Sequence, residues 1–516
     1  MTTSTPAPEL DLDGLVRHAE AAAGRPTRTI ARPFDGSPVG EVPVADVDDL
    51  LAAIARARTA QVAWAARPMA ERRAIVRRFH DLLLSRQDRM LDVVQAETGK
   101  ARLSAFEELA DTAMCAAYYA RHAAGHLRPR RRAGVVPLVT KVTERHVPKG
   151  VVGIISPWNY PLTLAVSDAI PALLAGNAVV LKPDSTTPFT ALLAISWLRE
   201  AGLPRDVFQV VTGPGAALGD PLVDHVDYVM FTGSTATGRH VAERAAANLI
   251  GCSAELGGKN ALLVLDDVDV AAALDGVANA CFSNSGQLCI SIERLLVADA
   301  VYDEFVPALV ERVRAMRLGA SYGYDVEMGS LVSAAQLATV SAHVDDAVAH
   351  GAQVLAGGRA RPDLGPYFYE PTLLAGVDET MTVCRTETFG PVVSVYRVTD
   401  DDEAVARAND TDYGLNSSVW GRPAHARRVA ERLRTGTVNI NDGYAPAWAS
   451  HDAPMGGFGV SGLGRRHGRE GITKYTEPQT IAEQGRLLRM YPTGPLTAPR
   501  YHALMRWAVP VLDKIR

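Results

Sequence analysis

The chain of 516 residues predicts an α/β protein built on parallel sheets. Three observations predict it. From Lys149 onward, apolar strand-like runs alternate with helical runs, the order of repeated βαβ units. Several of those strands are apolar throughout, as a sheet covered on both faces requires. The composition, 47% apolar and 22% charged, is ordinary for a chain that buries a core in water, and the length allows two or three domains.

Residues 1–30 hold a Pro/Thr-rich start and one short helical pattern. Residues 46–66 read as a helix with Asp46 as N-cap, 69–99 as one or two long helices, and 101–127 as another. A basic run at 128–132 leads into 135–146, a weakly alternating stretch bounded by Gly134 and Pro148, which reads as an exposed hairpin. No aromatic residues interleave the basic run, so it reads as a solvated edge or subunit contact and not as a nucleic-acid site. Strands follow at 150–155, 178–181, 207–211 and 227–231, with helical runs between them. A second α/β segment begins near Leu256 and runs past Val438, with strands at 261–265, 294–297 and 392–396. Gly-rich turns crowd 456–471.

Charge and cysteine usage exclude several functions. A net charge of −5 gives no reason to expect nucleic acid or an acidic membrane as partner. The five cysteines (Cys115, Cys252, Cys281, Cys289 and Cys384) are odd in number, widely spaced and without a Cys-x-x-Cys, so neither a disulfide framework nor a metal site is expected. A reducing, cytoplasmic setting fits. The N-terminus lacks the basic-then-apolar order of a signal peptide, and the longest apolar runs are too short to span a bilayer.

Six stretches carry candidate chemistry. Cys289 ends the run Ser283-Asn284-Ser285-Gly286-Gln287-Leu288, small and polar residues that leave room around a thiol; a buried structural cysteine is the alternative. Gly233-Ser234-Thr235-Ala236-Thr237-Gly238 follows a strand and opens a helix, where backbone N–H groups can approach a phosphate; an ordinary βα turn reads the same way. Ala254-Glu255-Leu256-Gly257-Gly258-Lys259 sets a carboxylate against two glycines: a ribose ligand, a general base or a surface glutamate. Ser156-Pro157-Trp158-Asn159-Tyr160-Pro161 lies at the C-terminal end of a parallel strand, with Asn159 a preorganised amide donor or the cap of the next helix. Lys182, at the end of the neighbouring strand, can hold hydroxyls or a phosphate, and Glu387-Thr388-Phe389-Gly390-Pro391 repeats the pattern of a polar residue beside a turn.

Taken in order and spacing, these runs resemble the aldehyde dehydrogenase superfamily over about residues 30–485. The resemblance implies a Rossmann-type cofactor domain (1–127 and 148–254), an α/β catalytic domain (255–473), a small β bridging or oligomerisation element (128–147 and 474–485) and a C-terminal tail (486–516). By the same likeness Cys289 is the nucleophile, Asn159 the oxyanion donor and Glu255 the base that activates the hydrolytic water. Ser156, Trp158, Lys182, Ser185, Gly233, Ser234, Leu256, Glu387 and Phe389 would hold the cofactor, NADP or NAD. NAD-selective members usually carry glutamate where this chain has Ser185, so NADP is expected to be accepted at least as well. A homodimer or homotetramer is expected, as is a small-molecule aldehyde substrate. Glu255 disfavours coenzyme A-acylating chemistry.

The late glycine motif, Pro454-Met455-Gly456-Gly457-Phe458-Gly459 through Arg465-Arg466-His467-Gly468, and the tail resemble an actinobacterial branch assigned as succinic semialdehyde dehydrogenase. Such enzymes clamp the substrate carboxylate with two arginines, and this chain has Ser167 and Ser283 at those places. Medium-chain apolar or aromatic aldehydes are therefore the alternative substrates. The tail mixes arginines with apolar residues, fitting either packing on a neighbouring subunit or, less well, a membrane surface; Pro492, Pro495 and Pro499 are expected to break any long helix there.

Overall fold

The computed structural model describes residues 5–135, 140–485, 491–492 and 496–515. Two open sheets dominate it. The first has six strands in the order Gly462–Leu463, Gly251–Glu255, Tyr228–Thr232, Val151–Ile155, Ala178–Lys182 and Phe208–Val210. All of these neighbours pair in parallel except the two-residue strand at the edge. The central strands are buried on both faces, which is why they read as unbroken apolar runs. From Val151–Ile155 the chain moves first toward Phe208–Val210, then crosses back to add Tyr228–Thr232 on the other side. Strand order reverses there, and the crevice outside those carboxyl ends is where such sheets bind ligands.

The second sheet has seven strands, ordered Gln353–Ala356, Thr372–Ala375, Val392–Val398, Ile292–Ala298, Asn260–Val264, Asn416–Trp420 and Thr437–Ile440. Only Gln353–Ala356 runs antiparallel to its neighbour. This sheet meets the first in an unexpected orientation. Gly257, Cys289 and Glu387 all lie just before the starts of strands Asn260–Val264, Ile292–Ala298 and Val392–Val398. They nonetheless line one cleft with Pro157, Thr232 and Glu255, which lie at strand ends of the first sheet. The first sheet thus offers its carboxyl edge and the second its amino edge.

Helices pack on the first sheet through one large apolar cluster that includes Phe79, Leu109, Tyr119, Leu162, Phe189 and Phe208. Helix Val47–Ala66 begins with a capping box, Asp46 accepting from the Asp49 N–H and Asp49 returning the bond. The stretch 69–99 is two helices, Met69–Ser85 and Gln87–Thr98, the second closed by Gly99 in the left-handed conformation at φ 71°. Strands Arg130–Arg132, Thr140–Pro148 and Thr476–Gln484 form a separate antiparallel sheet in the order third, second, first, largely exposed. Residues 136–139 of the expected hairpin lie outside the described residues.

The tail departs from expectation. Residues Ala498–Ile515 form one helix, with Pro499 at its start, where a missing N–H costs nothing, and Pro510 inside it. Trp507 is 70% exposed on that helix. Arg486, Arg489, Pro495 and Arg516 lie outside the described residues. Among those described, no helix is long and apolar enough to cross a membrane.

Candidate active site

Cys289 stands in a loop whose backbone is under local strain. Helix Val270–Phe282 ends at Ser283, and Asn284 and Ser285 then adopt positive φ angles of 51° and 56°. Such angles are uncommon away from glycine and persist where neighbours over-determine them. Here the Asn284 side chain donates to the carbonyls of Gln287 (3.0 Å) and Asn159 (3.3 Å). Ser104 Oγ accepts from the Asn284 N–H at 3.1 Å. Gly286 follows at φ 69°, where a Cβ would collide with the Gly390 carbonyl. The loop therefore seats Cys289 against the turn that carries Glu387 and Phe389.

Asn159 lies on the turn after strand Val151–Ile155. Its side chain donates to the Gln287 carbonyl at 3.1 Å, and it does not cap the following helix, which begins at Thr163. Its own carbonyl accepts from the fully buried Lys100 ammonium at 2.6 Å; that ammonium also sits 3.9 Å above the Tyr160 ring and pairs with Glu108 at 3.0 Å. A cation from a distant helix thus fixes the amide turn.

Glu255 ends strand Gly251–Glu255, directly across the ladder from Thr232. It is no surface glutamate: it is buried, and its Oε1 has no hydrogen-bond partner. Burial raises its carboxyl to about 7, against the pull of the nearby Arg466 and Lys474 cations. Burial also pushes the Cys289 thiol up to about 12, again opposed by Arg466. At neutral pH the thiol rests protonated and the carboxyl about half-protonated, both on the lining of one cleft.

The same cleft brings together Trp158, Asn159, Gly233, Ser234, Glu255, Leu256, Cys289, Glu387 and Phe389, nine of the twelve residues expected from the sequence. Its features fit a dinucleotide. Ser234 caps helix Thr235–Ala247 at the rim, accepting from the Thr237 N–H at 3.3 Å, and the helix points its amino end into the cleft. Gly238 lets that helix approach Leu256, whose side chain a Cβ would strike. Trp158 and Phe389 meet edge to face at 5.5 Å. Glu387 accepts from the Gly258 N–H at 2.9 Å, and a Cβ at Gly257 would enter its carboxylate.

The other three lie outside this cleft. Ser156 is buried beneath it with its hydroxyl unpartnered. Lys182 donates to the Pro183 carbonyl at 2.7 Å. Ser185 lines an adjoining hollow with Asp184 and Arg28. Arg28 belongs to strand Thr27–Ala31, and nothing in its local sequence marks it. Gln336 was missed for the same reason; it lines the main cleft and donates to the Phe389 carbonyl at 2.8 Å. In the sequence Arg466 reads only as part of a late glycine motif, yet its guanidinium pairs with Asp168 (2.7 and 3.1 Å) and donates to Thr232 Oγ1 at 2.7 Å.

Comparison with known proteins agrees with this geometry. The model of the aldehyde dehydrogenase family matches residues 20–481. The chain belongs to the aldehyde dehydrogenase family. It is accordingly an NAD(P)-dependent oxidoreductase acting on aldehydes. A protein of Mycobacterium tuberculosis strain H37Rv, named "putative succinate-semialdehyde dehydrogenase" with NADP as its cofactor, is 54% identical over 92% of this chain and 93% of its own. The betaine aldehyde dehydrogenase of Bacillus subtilis is 36% identical over 88% and 93%. Among solved structures, an NADP-dependent enzyme of E. coli superposes with a TM-score of 0.87 at 33% identity, covering 92% of this chain and all of that one. A Staphylococcus aureus betaine aldehyde dehydrogenase solved with NAD+ gives 0.87 at 31%, covering 92% and 97%.

Proposed function

We propose that this aldehyde dehydrogenase oxidises succinic semialdehyde to succinate with NADP, through a thioester on Cys289. The observation that carries the chemistry is the meeting of Cys289, Glu255 and the Asn159 amide in one cleft. The mycobacterial relatives named for this substrate and cofactor, 54% identical, support the finer reading.

The steps follow from the residues. The Cys289 thiol passes its proton to Glu255, and the thiolate adds to the aldehyde carbon, leaving an alkoxide. The second N–H of the Asn159 amide and the Cys289 backbone N–H stabilise that oxygen. One such donor is worth about 3–4 kcal/mol in the transition state. Bound NADP supplies acceptance of the hydride that leaves the former aldehyde carbon. Glu255 gives the first proton up to solvent and, ionised again, takes a proton from water as that water attacks the thioester; this proton passes to the leaving sulfur, freeing the acid and the thiol. Trp158, Phe389 and Glu387 would hold the nicotinamide end, and Ser234 the pyrophosphate.

For the adenosine end, Lys182 would meet the ribose. Ser185 places no negative charge against a 2′-phosphate, and in the same hollow Arg28 offsets the part of that repulsion that Asp184 restores. We infer NADP over NAD on that ground. The exposed strand Thr476–Gln484, at the edge of its small sheet, is the natural surface for assembly into a homo-oligomer.

A second substrate reading has its own support. Cys289 and Trp448 pack on a cluster of Tyr160, Leu164, Leu288, Ile290, Leu415, Tyr444 and Met455, an apolar wall suited to a medium-chain or aromatic aldehyde. Steady-state rates with succinic semialdehyde, hexanal and benzaldehyde, each with NADP and NAD, test both readings. A preference of a hundredfold or more for the semialdehyde is expected. Equal or better kcat/KM with hexanal overturns it in favour of the second reading. NADPH formation from none of them overturns the aldehyde chemistry itself.

A further inference from the structure

Next to the Cys289 cleft lies a second, polar cavity whose lining includes Thr163, Ser167 and Trp448 together with Arg466, His467 and Lys474. It touches the reacting centre at two points. Trp448 meets Tyr160 edge to face at 5.6 Å, and both belong to the apolar wall on which Cys289 packs. Arg466 donates to Thr232, which lines the Cys289 cleft. Ser167 is small and half-buried, so no bulky side chain closes the cavity at that position.

The polar groups here are poorly matched. The Lys474 ammonium meets only the Met230 sulfur at 3.4 Å and the Tyr475 ring at 5.0 Å, with no carboxylate in ion-pair range among the described residues. Arg466 spends Nε and Nη2 on Asp168 and Thr232, and among the described residues no hydrogen bond is recorded for Nη1. Asp111, His451 and His467 are 2%, 5% and 7% exposed; Asp111 Oδ1 and His451 Nε2 face each other at 3.5 Å, and among the described residues His451 Nδ1 and His467 Nδ1 have no hydrogen-bond partner. Buried polar atoms without partners are costly, and His467 Nδ1 belongs to a residue on the cavity lining, where a ligand could meet it.

Two kinds of ligand can be weighed. Asp111, His451 and His467 each bring a ligand atom within 4.8 Å of the others, a spacing that a divalent metal could draw together. Against a cation stand Arg466 and Lys474 on the same cavity, although Asp168 and Asp111 line it too. The two positive charges favour an anion, and the His467 imidazole on the lining can donate to it. Burial raises the Asp111 carboxyl to about 7, so it can also stand there as a neutral donor. Glu107, the other carboxylate on this face, is already engaged by the hydroxyls of Tyr444 (3.2 Å) and Ser283 (3.4 Å).

We propose that this cavity is the subsite for the distal carboxylate of a short ω-carboxy aldehyde, with the Lys474 ammonium and Arg466 Nη1 as its charge partners. The assignment rests on the succinic semialdehyde reading and supplies the cationic clamp missing at Ser167 and Ser283. Ser167 does not bind the carboxylate but opens the way to it.

The test is a discrimination ratio: kcat/KM for succinic semialdehyde over kcat/KM for butanal, with inhibition of butanal oxidation by succinate as a binding readout. In the unaltered enzyme the ratio is expected to exceed a hundred. Lys474→Met should lower it at least thirtyfold and weaken succinate inhibition by a similar factor, and Lys474→Arg should restore most of both. Ser167→Trp, which narrows the passage without removing a charge, should lower the ratio as well, and it decides the matter if Lys474→Met fails to fold. A high ratio kept by both Lys474→Met and Ser167→Trp overturns the subsite while leaving the semialdehyde reading intact. A ratio near one in the unaltered enzyme overturns the semialdehyde reading and the subsite with it. Stoichiometric zinc bound by the pure protein and lost in His451→Ala overturns the subsite in favour of a metal.

Discussion

The Arg466 guanidinium donates to the Thr232 hydroxyl at 2.7 Å, and Thr232 lies directly across the parallel ladder from Glu255. A buried cation is thereby held beside the proposed base. Replacing Arg466 with Met should raise the Glu255 carboxyl above about 7, because the ionised form loses its nearest positive neighbour. The acidic limb of the pH–kcat profile should move to higher pH, and the rate at neutral pH should fall. Asp168 would also lose its partner, and breaking a buried pair costs about 3–5 kcal/mol of stability. An unmoved profile in a folded variant would remove Arg466 from the account.

Glu255 itself gives a prediction with a definite sign. Hydrolysis needs the ionised form, so a thioester-limited rate should rise with pH through about 7 and then level off. Glu255→Gln should slow the burst, because the Cys289 thiol loses its proton acceptor, and should release at most one equivalent of NADPH per site before stalling, with the acyl group visible on the intact mass. Its folded pKa lies above the unfolded value of about 4.3. The native state therefore binds more protons between those values, and stability is lost as pH rises through that window. Glu255→Gln removes that loss and should stabilise the protein by about 1–3 kcal/mol at pH 8. Thermal unfolding at pH 5 and pH 8 checks this: the gain should be clearly larger at pH 8 than at pH 5.

Asn159→Ala should lower kcat about 10²–10³-fold, the usual loss for one oxyanion donor, with little change in NADP binding. Lys100→Met should reproduce part of that loss from a distance, since Lys100 holds the Asn159 carbonyl at 2.6 Å. Stopped-flow measurement of hydride transfer separates the two from effects on hydrolysis. Unchanged hydride transfer in Asn159→Ala would rule out the amide as donor.

Cofactor choice is testable at two positions. Ser185→Glu should cut kcat/KM for NADP at least tenfold by setting a carboxylate against the 2′-phosphate, while NAD is used as well or better. Arg28→Ala should act in the same direction more weakly, because Arg28 is exposed and its charge is screened. Equal effects on both cofactors would show that these residues do not read the phosphate.

The sequence made most of the first sheet legible because its strands are buried on both faces and end in turns of recognisable chemistry. Six residues picked from those strand ends and turns line one cleft, joined there by Cys289, Glu387 and Phe389 from turns before strands of the second sheet. The rest was hidden by distance along the chain. Lys100, Arg28 and Gln336 act through contacts with turns far away in sequence, and their own neighbourhoods carry no signal. Glu255 was legible as the base only through the resemblance, because the burial that sets its chemistry is a property of the assembled fold. The tail was misread for a local reason: Pro499 falls in the first turn of its helix, where proline is tolerated, and does not interrupt it. The amino-edge orientation of the second sheet had no counterpart in the sequence pattern at all.

Cys289 travels with one sheet and Glu255 with the other, so the distance between sulfur and carboxylate is set by how two separately cored layers are docked, not by either layer alone. A slight rocking of one layer against the other would disarm the catalyst while every helix and strand stayed formed. Proper function in this molecule is thus a matter of alignment, and it should be the first property to fail under stress and the last to return.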